Sequence, residues 1–195
     1  MTFINYEKRE INCKVVYVGP ARAGKTANLQ YVSRRTPPDK RGELLCLAGD
    51  DERTSYFDFL PLFLGRIRGF DTRLHLYALP GDLFFDSNRR LLLKGVDGLV
   101  FVADSRRERL DENMESLENL RRHLRDDGVE PDRIPAVVQF NMRDFATSLP
   151  LAEIGQLLNA DGKPAFAANA KTGEGVVETL RAISQLVFKR LVRKK

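Results

Sequence analysis

Two short stretches carry residue types spaced for phosphate chemistry and base recognition. The first is "GPARAGKT", Gly19 to Thr26, which fits the pattern G-x-x-x-x-G-K-S/T. Its glycines let backbone N–H groups curl around phosphate oxygens, Lys25 supplies a cation, and Thr26 offers a hydroxyl to Mg²⁺. It follows the apolar run "CKVVYVG" and opens a helical run, so the positive end of a helix would face the anion. Gly19, Ala21, Ala23, Gly24, Lys25, Thr26 and Ala27 are the candidate phosphate cradle. The second stretch is "FNMRD", with Asn141, Arg143 and Asp144, placed after another apolar run. A carboxylate there can accept hydrogen bonds from the N1–H and 2-amino group of guanine; adenine offers no such pair. "NAKTGEG" (169–175), with Ala170 and Lys171, can add a backbone N–H for the guanine oxygen.

Strands and helices must alternate to hold these loops. Strands are expected over 13–19, 42–48, 97–105, 134–140 and in "PAFAANA", and a hairpin joins 56–69 to 71–81. Helices are expected from Gly24 to about Arg35, through "RLDENMESLENLRRHLRDD", over "PLAEIGQLLN", and over "GVVETLRAISQLVFKRLV". Leu110, Met114, Leu117, Leu120 and Leu124 mark the apolar face of the second of these. "FDFLPLFLG" reads as core strand with partner binding above it. The alternation predicts an α/β fold with a mostly parallel central sheet flanked by helices. At 195 residues, one domain over 1–195 is expected.

Net charge is +5, with several basic residues in "FKRLVRKK" at the C-terminus. The apolar runs are too short to span a bilayer, and "MTFINYEKRE" is charged too early for a secretory signal. No N-terminal glycine or C-terminal Cys box provides a lipid anchor. No integral membrane segment and a cytoplasmic location are therefore expected. Cys13 and Cys46 are expected as unbridged thiols in buried strands. His75 and His123 lack ligand company and are expected to be structural. A basic balance without an aromatic-interleaved basic patch gives no case for nucleic acid.

With these motifs in place the chain resembles a P-loop NTPase with a Ras-like G domain, a small GTPase. More narrowly it resembles the MglA group of bacterial polarity and gliding-motility GTPases. The resemblance rests most on "NYEKREINCKVVYVGP", "AGDDERTSYFDFLPL", "FDTRLHLYALPGDLFF" and "LLLKGVDGLVFVADS". It implies a GTP/GDP switch with Mg²⁺, monomeric, recruited to a cell pole. It also implies an MglB-like Roadblock-domain activator and polarity or motility effectors. By the same resemblance Lys25 and Thr26 match the phosphate lysine and Mg²⁺ ligand, and Thr54 the first-switch threonine on Mg²⁺. Arg53 matches a built-in arginine finger, a group worth about 10³–10⁵ in rate in other GTPases. Gly81 matches the second-switch glycine, Asn141 and Asp144 the guanine-reading pair, and Ala170 and Lys171 the last nucleotide loop.

Four residues depart from the family pattern. Asp82 replaces the glutamine that orients attacking water, and it brings an anion toward an anionic γ-phosphate. Ala78 lacks an oxygen for the Mg²⁺ shell. Ala21 stands where the loop's middle glycine belongs. Met142 replaces the lysine of N-K-x-D. Most of these changes fall at the phosphate end, so the expectation is a guanine-nucleotide binder with impaired hydrolysis, with Arg53, Asp82 and Gly81 as candidate catalytic residues. The alternatives are a non-hydrolysing scaffold that binds partners through its switch surface, an active enzyme in which Asp82 still positions water, and an ATP-using P-loop enzyme, against which Asp144 argues.

Overall fold

The computed structural model describes residues 3–48, 55–81 and 92–193. Period-two alternation in the second strand sets the layers. Along β2 (Glu10–Val18), Val15 and Tyr17 face one side of the sheet while Val16 and Val18 face the other. Both faces are apolar, so both must be covered. Along β6 (Gly98–Asp104) every residue is buried, as expected of a central parallel strand.

The remaining strands are β1 (Phe3–Asn5), β3 (Leu45–Ala48), β4 (Ser55–Ile67), β5 (Phe70–Ala78), β7 (Ala136–Asn141) and β8 (Ala165–Ala167). Their order is β3-β4-β5-β2-β6-β7-β8, with β1 pairing off β2. From β5 through β8 the neighbours run parallel; the β4–β5 hairpin, β3–β4 and β1–β2 pair antiparallel. This bears out the mostly parallel central sheet expected from the alternation. Strand β1 was not anticipated, and β2 begins at Glu10, earlier than the expected 13. Pairing with β1 extends it through residues too polar to read as core.

Helices α1 (Lys25–Arg35) and α4 (Val176–Arg193) cover one face, through Leu29, Val32, Ile183 and Val187. Helices α2 (Leu110–Asp126) and α3 (Leu151–Leu158) cover the other, through Leu124, Ile154 and Leu158. Side chains of α4 lie so close to β6 at Gly98 that an added Cβ would meet Val187 at 2.6 Å.

Three expectations are corrected. Cys13 is buried, but Cys46 is exposed, because β3 is the edge strand. Met114 is exposed rather than on the buried stripe of α2. Its neighbour Asn113 is turned inward, where it bonds both backbone groups of Asp104 and the carbonyl of Arg109. "FDFLPLFLG" is core only at alternate positions: Asp58, Leu60 and Leu62 are buried, while Phe59 and Phe63 are half-buried on the opposite face. There Phe57 and Phe59 pack on Tyr77 with ring centroids 5.6 and 4.9 Å apart. Among the described residues no helix is long and apolar enough to cross a membrane.

Candidate functional site

After β2 the chain builds β3 to β5 on one side of it and then crosses to β6 on the other. That makes the C-terminal end of β2 a topological switch point, where open α/β sheets form their ligand crevice. The stretch Gly19 to Gly24 occupies this point. Gly24 has φ 98°, and a Cβ there would run into the Asn141 amide, so the turn into α1 requires glycine.

The loop's carbonyls are tied down by side chains. Lys25, nearly fully buried, donates from Nζ to Gly19 O at 2.9 Å and Pro20 O at 2.6 Å. Arg109 Nη2 donates to Ala21 O at 2.8 Å. Asn141 Nδ2 donates to Ala23 O at 2.7 Å. Trans peptide units point C=O and N–H in opposite directions, so the loop's donors are turned away from these cations and amides. Arg22 has φ 60°, a left-handed residue of the kind that aligns neighbouring N–H groups into an anion nest.

An open cleft of about 640 Å³ lies against this loop, with Ala21, Lys25, Thr26, Asp58, Gly81 and Arg109 in its walls. Gly81 packs directly on the backbone of Pro20 and Ala21, with no room for a Cβ. Thr26 Oγ1 donates to Asp58 Oδ2 at 2.5 Å. Asp58 is buried and pairs across the hairpin with Ala78. It also bears on Cys46, whose thiol is raised by burial first and then by a hydrogen bond to Asp58 and that residue's charge.

The stretches expected to read the base lie at the ends of β7 and β8. Asn141 is buried and uses both ends of its amide: besides its bond to Ala23, its Oδ1 accepts from Ala170 N at 2.9 Å. It thus stitches the phosphate loop to the 169–175 loop. Asp144 is exposed. Arg143 folds back to donate to Leu149 O at 2.6 Å. Met142 adopts φ 62°, and its carbonyl accepts from Ser148 Oγ at 2.7 Å. Lys171 is exposed; its backbone N–H and that of Thr172 donate to Asn169 Oδ1.

Ala21, Gly24, Lys25, Thr26, Ala27 and Gly81 line the cleft, and Gly19 and Ala23 belong to the same loop without lining it. Asn141, Arg143, Asp144, Ala170 and Lys171 sit on the adjoining loops. Arg53, Thr54 and Asp82 lie outside the described residues. Sequence reasoning missed Asp58 and Arg109. A lone acid at an inward position of an apolar strand was the available signal for Asp58, since buried carboxylates need partners. Nothing local marks Arg109, which reaches the loop across 88 residues.

A loop of this pattern at the switch point of such a sheet, with the 141–144 and 169–175 stretches at the next strand ends, defines a Ras-like P-loop G domain. The chain is 52% identical over 191 residues, 98% of each chain, to the mutual gliding-motility protein MglA of Myxococcus xanthus (strain DK1622). It belongs to the MglA family of Ras-like small GTPases. No family model matches the chain.

Proposed function

We propose that this chain is a guanine-nucleotide switch serving polarity or gliding motility, that it binds GTP and GDP with Mg²⁺, and that it hydrolyses GTP slowly without help. The observation that carries the reading is the phosphate loop itself, with its carbonyls held by Lys25, Arg109 and Asn141, so that the N–H groups of the same peptides point the other way. Thr26 and Asp58 fit a hard cation that takes few protein oxygens and fills its shell with phosphate and water. Mg²⁺ there would neutralise charge on the β- and γ-phosphates. Thr54 is the proposed second hydroxyl on Mg²⁺, and Asp144 the reader of the base.

Slow hydrolysis rests on Ala21, Ala78 and Asp82. The place of Ala21 in the cleft wall supports it, because a methyl where the loop's middle glycine belongs leaves less space beside the γ-phosphate. Losing one transition-state aid costs about 10²–10³ in rate. Arg53 is proposed to supply the main stabilisation, with an MglB-like Roadblock partner aligning it.

The experiment is to purify the protein without added nucleotide, release what it holds, and follow single-turnover GTP hydrolysis. Bound GTP, with faster cleavage in Ala21→Gly and Asp82→Gln, is the expected result. Bound GDP with family-typical cleavage, unchanged by Asp82→Gln, overturns slow hydrolysis. A protein that binds neither, even with Mg²⁺, overturns the switch in favour of a scaffold.

A further inference from the structure

Loop carbonyls at residues 19, 20 and 23 are held by residues of the nucleotide motifs themselves, Lys25 and Asn141. The carbonyl of Ala21 is held by a residue outside every such motif, Arg109, which stands just before α2. Its guanidinium is fixed on its other sides. Nη1 donates to Glu112 at 2.6 Å, and Nε lies 3.7 Å from the buried carboxylate of Asp104. Nε is buried without a hydrogen bond, so the ionic contact with Asp104 is what steadies that edge. Asn113 clamps the backbone of both Asp104 and Arg109, which makes the 104–113 segment a rigid post.

We propose that Arg109 is a positioning residue of the phosphate site: by holding the Ala21 carbonyl it sets the plane of the 21–22 peptide, and so aims the Arg22 N–H at the nucleotide's phosphates. A left-handed non-glycine residue persists only where its surroundings over-determine it. Arg22 is such a residue, and the bond from Arg109 fixes the peptide that leads into it. Asp104 also holds Arg106, through Nε at 3.0 Å and Nη2 at 2.7 Å, and Arg106 lies over the Phe145 ring at 4.8 Å. Phe145 follows Asp144, so the carboxylate that faces Arg109 also holds the arginine packed beside the 141–144 stretch.

The inference rests on the nucleotide reading above and deepens it. Its test uses the full chain loaded with fluorescent GDP and Mg²⁺. Arg109→Met keeps the side-chain stem but removes the donor; Arg109→Lys restores one donor. The expected result is GDP release about tenfold faster in Arg109→Met, the scale of one lost charge-assisted hydrogen bond, with release in Arg109→Lys close to wild type. Melting of the nucleotide-free protein should stay unchanged. Release unchanged in Arg109→Met overturns the inference alone. So does loss of a cooperative melt in that variant without nucleotide, which would make Arg109 a structural residue. A wild-type protein that holds no guanine nucleotide overturns the nucleotide reading, and this inference with it.

Discussion

Asp58 stands directly across from Ala78 in the β4–β5 pairing, and its carboxylate holds the Thr26 hydroxyl at 2.5 Å. Directly opposed residues of an antiparallel pair share one face of the sheet. The oxygen that position 78 lacks is therefore present one strand over. Asp58→Asn keeps the shape but loses the charge; Asp58→Ala loses both. We expect Asp58→Ala to weaken Mg²⁺-dependent GDP binding by about 10–100-fold, the range seen when a partner of a metal ligand is removed. GDP binding in excess chelator should change little. A titration of Mg²⁺ against GDP release measures both. Equal losses with and without Mg²⁺ would assign Asp58 to folding alone.

Behind the phosphate loop, α1, β7 and α4 meet through polar groups. Asn28 and Gln139 exchange two hydrogen bonds of 2.8 and 2.9 Å, Gln139 also donates to Thr179 Oγ1, and Asn28 donates to Gly24 O. All three side chains are buried. Gln139→Ala would leave the Asn28 amide partly unpaired and open a cavity, a cost of about 2–4 kcal/mol. Thr179→Ala, which removes the acceptor for Gln139 and a hydroxyl that donates to Gly175 O, should cost about 1 kcal/mol. Urea unfolding of the nucleotide-free chain checks the order. A larger loss in Thr179→Ala would mean the amide pair is not the centre of this network.

The contrast between Lys25 and Arg109 shows what the sequence could tell. Lys25 was legible because its role is encoded by neighbours within eight positions, and the same locality made the strand–loop–helix unit around it readable. Asp58 was half legible: a charge inside an apolar run must be either exposed or paired, but which partner depends on how β4 lies beside α1. The Arg109 contact depends on the packing of segments far apart in the chain, which no spacing rule encodes. The same reason explains Cys46, whose exposure follows from β3 being an edge, a property of sheet order and not of local composition.

The two thiols should separate chemically. Burial, with a smaller push from Asp97, raises Cys13 from its ordinary 9.0 to about 12. Cys46 is also raised, but it is exposed. A thiol reagent should therefore modify Cys46 alone in the folded chain, faster as pH rises, and reach Cys13 only on unfolding. The stability effect follows in sign. Below pH 9 both folded and unfolded chains keep the Cys13 proton, so nothing is lost. Between 9 and about 12 the unfolded chain releases it while the folded chain does not. Stability then falls as pH rises, by up to about 1.4 kcal/mol per unit. Tyr17, raised by burial, acts in the same direction. Cys13→Ala should flatten the decline between pH 9 and 11 in urea midpoints. An equally steep decline would place the effect elsewhere.

Asn141 spends its amide on Ala23 and Ala170, while the Asp144 carboxylate three residues on is exposed. The two residues should therefore fail differently. Guanine presents N1–H and a 2-amino group, both donors, to a carboxylate. Xanthine keeps N1–H but carries a carbonyl at C2, which an amide N–H can meet. Asp144→Asn should lower GTP affinity and raise that for xanthosine triphosphate, shifting the preference by about 10² or more, since a site built to hydrogen-bond a group rejects the analogue that lacks it. Asn141→Ala should weaken both nucleotides together, because it unties the phosphate loop from the 169–175 loop and leaves two buried backbone groups unpaired. Competition of each triphosphate against labelled GDP distinguishes the two outcomes. Equal weakening of both bases in Asp144→Asn would move base recognition off this carboxylate and onto the backbone of the 169–175 loop.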